Sequence, residues 1–369
     1  MKSSNIRYLP QVDHLRGVAA LWVLFYHGAH LIGGALSGKG TLLDETGWSF
    51  SKNPFWALVN EGHTGVALFM VLSGFIFAYG AIGHRIHYGR FIGNRLLRIY
   101  PLYLSMILLS AAVDPSHYSL ESFLSTVLPL ADFQTLSAGG MVSLAWTIAV
   151  EFQFYLIFPF LLVSLSEKPF KTVLGLLAVS LSFRILACAV GANPRDLSYW
   201  HLAGRIDQFV LGMGAAYLAR HWANRRSLFR LLFWFSIPLA ILEIYCFHRA
   251  GGWPVVAPWK IAWPTVEGFV WAMMVLGYAG GSIVLPGILS WPLAQVGVIS
   301  FSIYLLHYPI VVAFARHPEI LLGVSQRSEV NAILSTLLMA LPCVLGLSWL
   351  TYHVIELPFL RRRQKYLYE

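Results

Sequence analysis

The stretch DHLRGVAALWVLFYH, Asp13 to His27, decides how the rest of the chain is read. Between Arg16 and His27 every residue is apolar, aromatic or small, so the helix it would form has no face left for water. Continued to Gly33, the run reaches the roughly twenty mostly apolar residues that carry an α-helix across a bilayer. Lys2 and Arg7 ahead of it imitate a secretory leader. The charge of Arg16, the imidazole of His27 and the want of a small-residue cleavage site mark it instead as a retained first span.

The rest of the chain repeats the pattern. Of 369 residues, 57% are hydrophobic and only 12% charged, too few polar groups to clothe a water-soluble surface of this size. Ten apolar stretches of spanning length follow one another, near 12–33, 63–82, 97–113, 142–165, 171–190, 202–219, 230–248, 263–283, 293–315 and 330–355. The expected fold is all-α: a polytopic integral membrane protein of about ten transmembrane helices, one membrane-embedded domain over residues 1–369.

Lysine and arginine concentrate in alternate loops. Arg85, Arg90, Arg95 and Arg98 follow the second span, Lys168 and Lys171 the fourth, Arg220, Arg225, Arg226 and Arg230 the sixth, and Arg361 to Arg363 with Lys365 the last. Cytoplasmic loops hold such residues, so both termini are expected in the cytoplasm. The +9 formal charge is then orientation; no soluble basic domain exists to bind nucleic acid. Cys188, Cys246 and Cys343 are odd in number, sit in apolar segments and lack ligand spacing, so neither a disulfide framework nor a metal site is expected. Trp253, Trp259 and Trp263 fall where an outer interfacial belt belongs.

Ionisable groups inside spans are costly and need a partner or a task. Arg16 and His27 are eleven residues apart, almost three whole turns, so they share one helix face about 16 Å apart. They can line one channel without touching; equally, Arg16 can pair with Asp13 and His27 can be a satisfied buried histidine. Counted from the outer surface, Glu151 lies near the depth of His27, which predicts either a carboxylate–imidazole general-base pair or a structural ion pair. Arg95 and Arg98, with Tyr100 and Pro101 behind them, form an Arg-x-x-Arg face suited to phosphates, although positive-inside topology also places arginines there. Ser73, beside Gly74, permits close helix approach or contacts a ligand.

Together these segments resemble the acyltransferase-3 family of membrane acyltransferases over essentially the whole chain. The pieces are Asp13-His14-Leu15-Arg16-Gly17 leading to His27, Phe69 to Phe75, and Arg95-Leu96-Leu97-Arg98-Ile99-Tyr100-Pro101. Then come Trp146 to Glu151 with Phe154-Tyr155 and Pro159, Arg205-Ile206-Asp207-Gln208-Phe209 with Gly212, Ser302 to His307, and Glu356-Leu357-Pro358. The resemblance implies transfer of an acyl group, commonly acetyl, from cytoplasmic acyl-CoA to a hydroxyl of a carbohydrate or glycoconjugate, without a metal, in a bacterial inner membrane. It makes His27 catalytic, with Arg16 and Glu151 beside it. Arg95, Arg98, Ser73 and Tyr100 become acyl-CoA contacts, and Arg205 and Asp207 substrate contacts. His307 is expected to bridge helices, and Glu356 and Pro358 to end the last span. No fused esterase-like domain follows, which implies a stand-alone transferase. The alternative is a secondary transporter or exporter of a glycan or small molecule, which also needs charge at mid-depth.

Overall fold

Side chains that a water-soluble protein would hide face outward here. Leu174, Val179 and Leu186 on one long helix, and Leu231, Trp234 and Phe235 on another, are exposed to the surroundings of the bundle. Such surfaces are stable only against lipid.

The computed structural model describes residues 8–39, 48, 51–132 and 140–369. In chain order α1 is Pro10–Leu36, α2 Pro54–Asn60, α3 Thr64–Ala81, α4 Tyr88–Val113, α5 Leu120–Val127, α6 Ala145–Glu167, α7 Pro169–Ala189 and α8 Pro194–Trp200. There follow α9 Leu202–His221, α10 Arg226–Arg249, α11 Trp263–Val275, α12 Gly287–Val298, α13 Ser300–Ala315 and α14 Ser328–Leu360. A two-residue antiparallel clasp pairs β1, Arg85–Ile86, with β2, Leu367–Tyr368, and ties the C-terminal segment to the loop after α3.

All ten expected stretches are helical, and the chain is an all-α, multi-pass membrane protein. By length and apolarity, α1, α3, α4, α6, α7, α10 and α14 qualify as spans among the described residues, seven in all, or eight if α12 and α13 count as one span bent by 71°. The other two stretches became α9, whose apolarity is interrupted by buried Arg205, Asp207 and Gln208, and α11, which at 13 residues is too short to cross; both fall outside that group. Lys2 and Arg7, part of the orientation argument, lie outside the described residues.

The last span differs from expectation. Glu356 does not end it: α14 passes through a widened π turn at Tyr352–Glu356, buries the carboxylate completely and runs on to Leu360. A second π turn, Gly28–Ile32, follows His27 directly. Such turns re-aim the side chains beside them.

Close backbone contact at the centre depends on two glycines. A Cβ on Gly74 of α3 would overlap the Phe209 carbonyl of α9, and one on Gly212 of α9 would overlap the Val71 carbonyl of α3. Neither neighbour is a flexible side chain, so relief requires the helices to part. Gly212→Val is therefore expected to cost about 1–3 kcal/mol or more, as overpacking does. A thermal inactivation series in detergent measures this, and a wild-type midpoint would contradict the packing described.

Candidate active site

Two cavities lie in line along the bundle. The larger, of about 1120 Å³, occupies the end where α1 begins and α14 finishes; Asp13, Arg16, Ser73, Arg95, Arg98, Glu151 and Tyr155 line it, with Arg361 and Arg363 from beyond α14. The smaller, of about 150 Å³, lies toward the other end of the same helices and is lined by Tyr26, His27, His63, Trp146, Tyr199, Trp200 and Trp253. Val66 and Tyr304 belong to both walls and separate the two spaces.

The larger cavity is cationic. Five guanidinium groups face it against the carboxylates of Asp13 and Glu151. Among the described residues only Arg98 of the five is tied by an ion pair, donating from Nη1 to Glu356 Oε2 at 2.9 Å; Glu356 also accepts from the Ser302 hydroxyl. Arg95 packs its guanidinium 4.7 Å above the Phe77 ring, and its buried Nε has no hydrogen-bond partner among the described residues. Burial, with Arg95 and Arg98 nearby, pulls the Arg363 guanidinium down to about 10, so it remains charged at neutral pH in a crowd of like charges. Arg361 and Arg363, read from sequence as a topological anchor, are thus part of the cavity. Such a wall attracts an anion with several negative oxygens.

Glu151 belongs to this cavity and not to His27. Its Oε1 accepts from Ser73 Oγ at 2.8 Å and from the Tyr155 hydroxyl one turn away. The depth count from the surface placed it beside His27, but the axial position of α6 is set by packing against its neighbours and not by a residue count from one end. Arg16 likewise lines the large cavity, one end of α1 away from His27. The expected trio is split between two spaces.

His27 is held by another histidine. His307 Nδ1 lies 3.0 Å from the Ile303 carbonyl, which can only accept, so that nitrogen carries the proton and Nε2 of His307 is an acceptor. His27 Nδ1 sits 3.1 Å from that Nε2 and 3.0 Å from the Val23 carbonyl, and must therefore be the donor to both. The lone pair of His27 is left on Nε2, with no hydrogen-bond partner among the described residues, in the wall of the smaller cavity. A neutral imidazole presented this way is a base or a nucleophile. His307 does bridge helices, as expected, but the bridge fixes the tautomer of His27.

Three other expected contacts lie elsewhere. Tyr100 is off the cavity wall, donating its hydroxyl to the Val127 carbonyl at 2.9 Å. Asp207 touches neither space: it accepts from Arg184 at 2.9 Å, from Thr265 at 2.5 Å and from the Gln208 amide at 3.0 Å, a buried structural ion pair. Arg205 stacks 4.2 Å from the Tyr199 ring centroid, behind the smaller cavity, and supports its wall. Trp253 is no lipid-facing belt residue; it lines the smaller cavity, while Trp259 and Trp263 pack on Phe247.

Sequence reading missed Arg184 and the group Glu61, His63 and His248. Arg184 was legible as a charge inside the apolar stretch 171–190 with no assigned partner. Glu61 accepts from His248 at 2.8 Å and His63 at 3.1 Å, a meeting of residues 187 positions apart that no local pattern signals. Burial alone would raise the Glu61 carboxyl, but the hydrogen bonds from both imidazoles hold it below its ordinary value.

The family pattern described as "Acyltransferase domain" matches residues 9–353. Among curated proteins, the chain is 26% identical to YrhL of Bacillus subtilis (strain 168), provisionally named a peptidoglycan O-acetyltransferase, over 97% of this chain and 56% of that protein. It is 25% identical to BcsY of Komagataeibacter xylinus, provisionally named a membrane-bound transacylase, over 89% of this chain and 81% of that one. The chain thus spans little more than half the length of YrhL. No solved structure matches it. A pattern of that extent, on a multi-pass bundle with a histidine in the wall of its smaller cavity, shows that the chain belongs to the acyltransferase-3 family.

Proposed function

We propose that this protein is a membrane O-acyltransferase that moves an acyl group, acetyl in the simplest case, from acyl-CoA to a hydroxyl of a carbohydrate or glycoconjugate across the bilayer. The observation that carries the reading is the arrangement of the two cavities: an arginine-walled space at one end, a histidine lone pair in a small space beyond, and, among the described residues, Val66 and Tyr304 between them. The arginine-rich end is the cytoplasmic face of an inner membrane, with about ten crossings and both termini on that side. The names of the two relatives, one for O-acetyl transfer to peptidoglycan and one for membrane transacylation, support the same reaction class.

CoA phosphates stay with Arg16, Arg95, Arg98, Arg361 and Arg363, because their charges cannot enter lipid, while the thin pantetheine arm carries the thioester past Val66 and Tyr304. At His27 the acceptor oxygen attacks the thioester carbon as Nε2 takes the hydroxyl proton. The C–O bond forms, the C–S bond breaks, and the departing thiolate takes that proton from the imidazolium, which restores the neutral ring. His307 and the Val23 carbonyl hold the Nδ1 proton throughout.

Labelled acetyl-CoA presented to vesicles containing the purified protein tests the class of function. Label on a glycan with stoichiometric thiol release supports transfer; accumulation of intact ligand inside the vesicles would make the protein a transporter. The 71° break between α12 and α13 is a feature transporters share, but it has no counterpart among the described helices. For the donor site, Arg95→Ala is expected to raise the KM for acetyl-CoA about tenfold with kcat little changed, the loss of one charge-assisted contact. A donor KM equal to wild type would remove Arg95 from the site.

A further inference from the structure

Three tryptophans and Tyr199 pack together at the smaller cavity. Tyr199 and Trp253 lie 4.0 Å apart between ring centroids, Trp146 and Trp200 4.7 Å, and Trp200 and Trp253 5.8 Å in an edge-to-face pair. The loop bearing Trp253 is fixed from both sides: its amide donates to Glu61 at 3.2 Å, and its carbonyl accepts from Lys260 at 2.6 Å. Trp200 Nε1 is buried and has no partner among the described residues. An apolar packing cluster would not leave an indole N–H unanswered.

His63 faces the same space. It is 6% exposed, and its ring lies 5.4 Å from Trp253, 5.5 Å from Tyr199 and 5.6 Å from Tyr26, which also lies 4.9 Å from His27. Its Nε2 is 3.1 Å from the Glu61 carboxylate, which can only accept, so Nε2 carries the proton and the neutral ring has its lone pair on Nδ1. That Nδ1 is buried and has no hydrogen-bond partner among the described residues. Glu61 is in turn held by His248, whose own Nε2 accepts from the Ser51 amide at 3.0 Å and whose Nδ1 therefore donates. Two side chains, Glu61 and His248, and two main-chain amides hold one acceptor nitrogen toward a cavity that also offers one donor and an aromatic wall.

We propose that this cavity is the acceptor subsite and that its ligand is a pyranose ring: the ring lies on the aromatic wall, one hydroxyl donates to His63 Nδ1, an oxygen accepts from Trp200 Nε1, and a neighbouring hydroxyl reaches His27 Nε2. The chemistry of a sugar matches each part. Its axial C–H bonds carry slight positive charge and suit the negative face of an aromatic ring, and its hydroxyls both donate and accept. A cavity of about 150 Å³ is the size that accepts a six-membered ring. His63 is then a binding residue, distinct in role from His27. The proposal rests on the transferase reading above for the identity of the reacting hydroxyl, but the binding of a sugar does not.

The experiment uses full-length protein in lipid nanodiscs, with chitotetraose and cellotetraose as probes, and reads binding by saturation-transfer NMR and acetyl transfer on the same samples. Wild type is expected to bind at least one probe saturably, and Trp253→Ala to weaken that binding about tenfold or more. Two variants separate recognition from scaffolding. In His63→Gln the amide N–H replaces Nε2 and keeps the bond to Glu61 but leaves nothing at Nδ1, so sugar affinity falls about tenfold while the KM for acetyl-CoA stays at the wild-type value. In His63→Asn the side-chain oxygen replaces Nδ1 and the link to Glu61 is lost, so sugar affinity stays within about threefold. The reverse pattern, Gln like wild type and Asn weakened, would show that His63 serves only to hold Glu61 and would overturn the proposal. So would the absence of saturable binding of either sugar, or affinities unchanged in Trp253→Ala. Sugar binding without acetyl transfer in wild type would refute the function proposed above and leave this subsite standing.

Discussion

Replacing His27 by alanine is expected to lower kcat for acyl transfer by about 10²–10⁴-fold, the range a positioned general base contributes, while the protein inserts and melts as wild type. The separation of the two effects follows from where the ring sits. Its Nε2 lines a cavity that already exists, so truncation enlarges a space and does not open a sealed void. The Nδ1 proton is shared between the Val23 carbonyl and His307, and both acceptors have other surroundings when it is gone. Donor and acceptor binding come from other residues, so the KM for acetyl-CoA is expected to hold. His307→Phe has a smaller effect, roughly tenfold, because the Val23 carbonyl still keeps the proton on Nδ1. A folded His27→Ala protein with wild-type turnover would remove this histidine from the reaction, and equal losses in His27→Ala and His307→Phe would make the pair the catalytic unit.

The largest stability effect is expected at Asp207. Arg184 is wholly buried, and its charge is answered by Asp207 at 2.9 Å, with the Gly204 carbonyl and the Thr265 hydroxyl, each at 2.7 Å, as neutral acceptors. Asp207→Ala leaves that guanidinium without a counter-charge in the bundle, a loss of about 3–5 kcal/mol for breaking a buried pair from one side. The double change Arg184→Met with Asp207→Leu removes both charges, and much of the stability is expected to return. Unfolding in mixed micelles measures both variants. The residual folded fraction of Asp207→Ala should show wild-type KM values, since the carboxylate lines neither cavity. Wild-type stability together with a raised acceptor KM would instead make Asp207 the substrate contact that its motif suggests.

Much of the site was legible because the chemistry lies in local motifs. Arg16 and His27 share a helix face by spacing alone, and the larger cavity does contain Arg16, Ser73, Arg95, Arg98 and Glu151 together. What spacing could not supply was the partner of each group. Counting depth along separate helices put Glu151 beside His27, yet an axial error of one turn is enough to exchange one neighbour for another, and Glu151 meets Ser73 and Tyr155. Trp253 read as a lipid-interface residue because composition does not say whether an aromatic faces lipid or a cavity. Glu356, with Pro358, read as the end of the last span, whereas a π turn carries the helix past Glu356 and turns its carboxylate to meet Arg98.

Apolarity, length and the side on which arginines gather are sums over single residues, and they sufficed for an all-α membrane bundle and for a histidine inside it. The division into two cavities, the tautomer of His27 and the grip of Glu61 on His63 are relations between residues far apart in the chain. They come into being only when α1, α3, α6, α10 and α13 pack, because a hydrogen bond depends on distances of a few tenths of an ångström that no one-dimensional pattern contains.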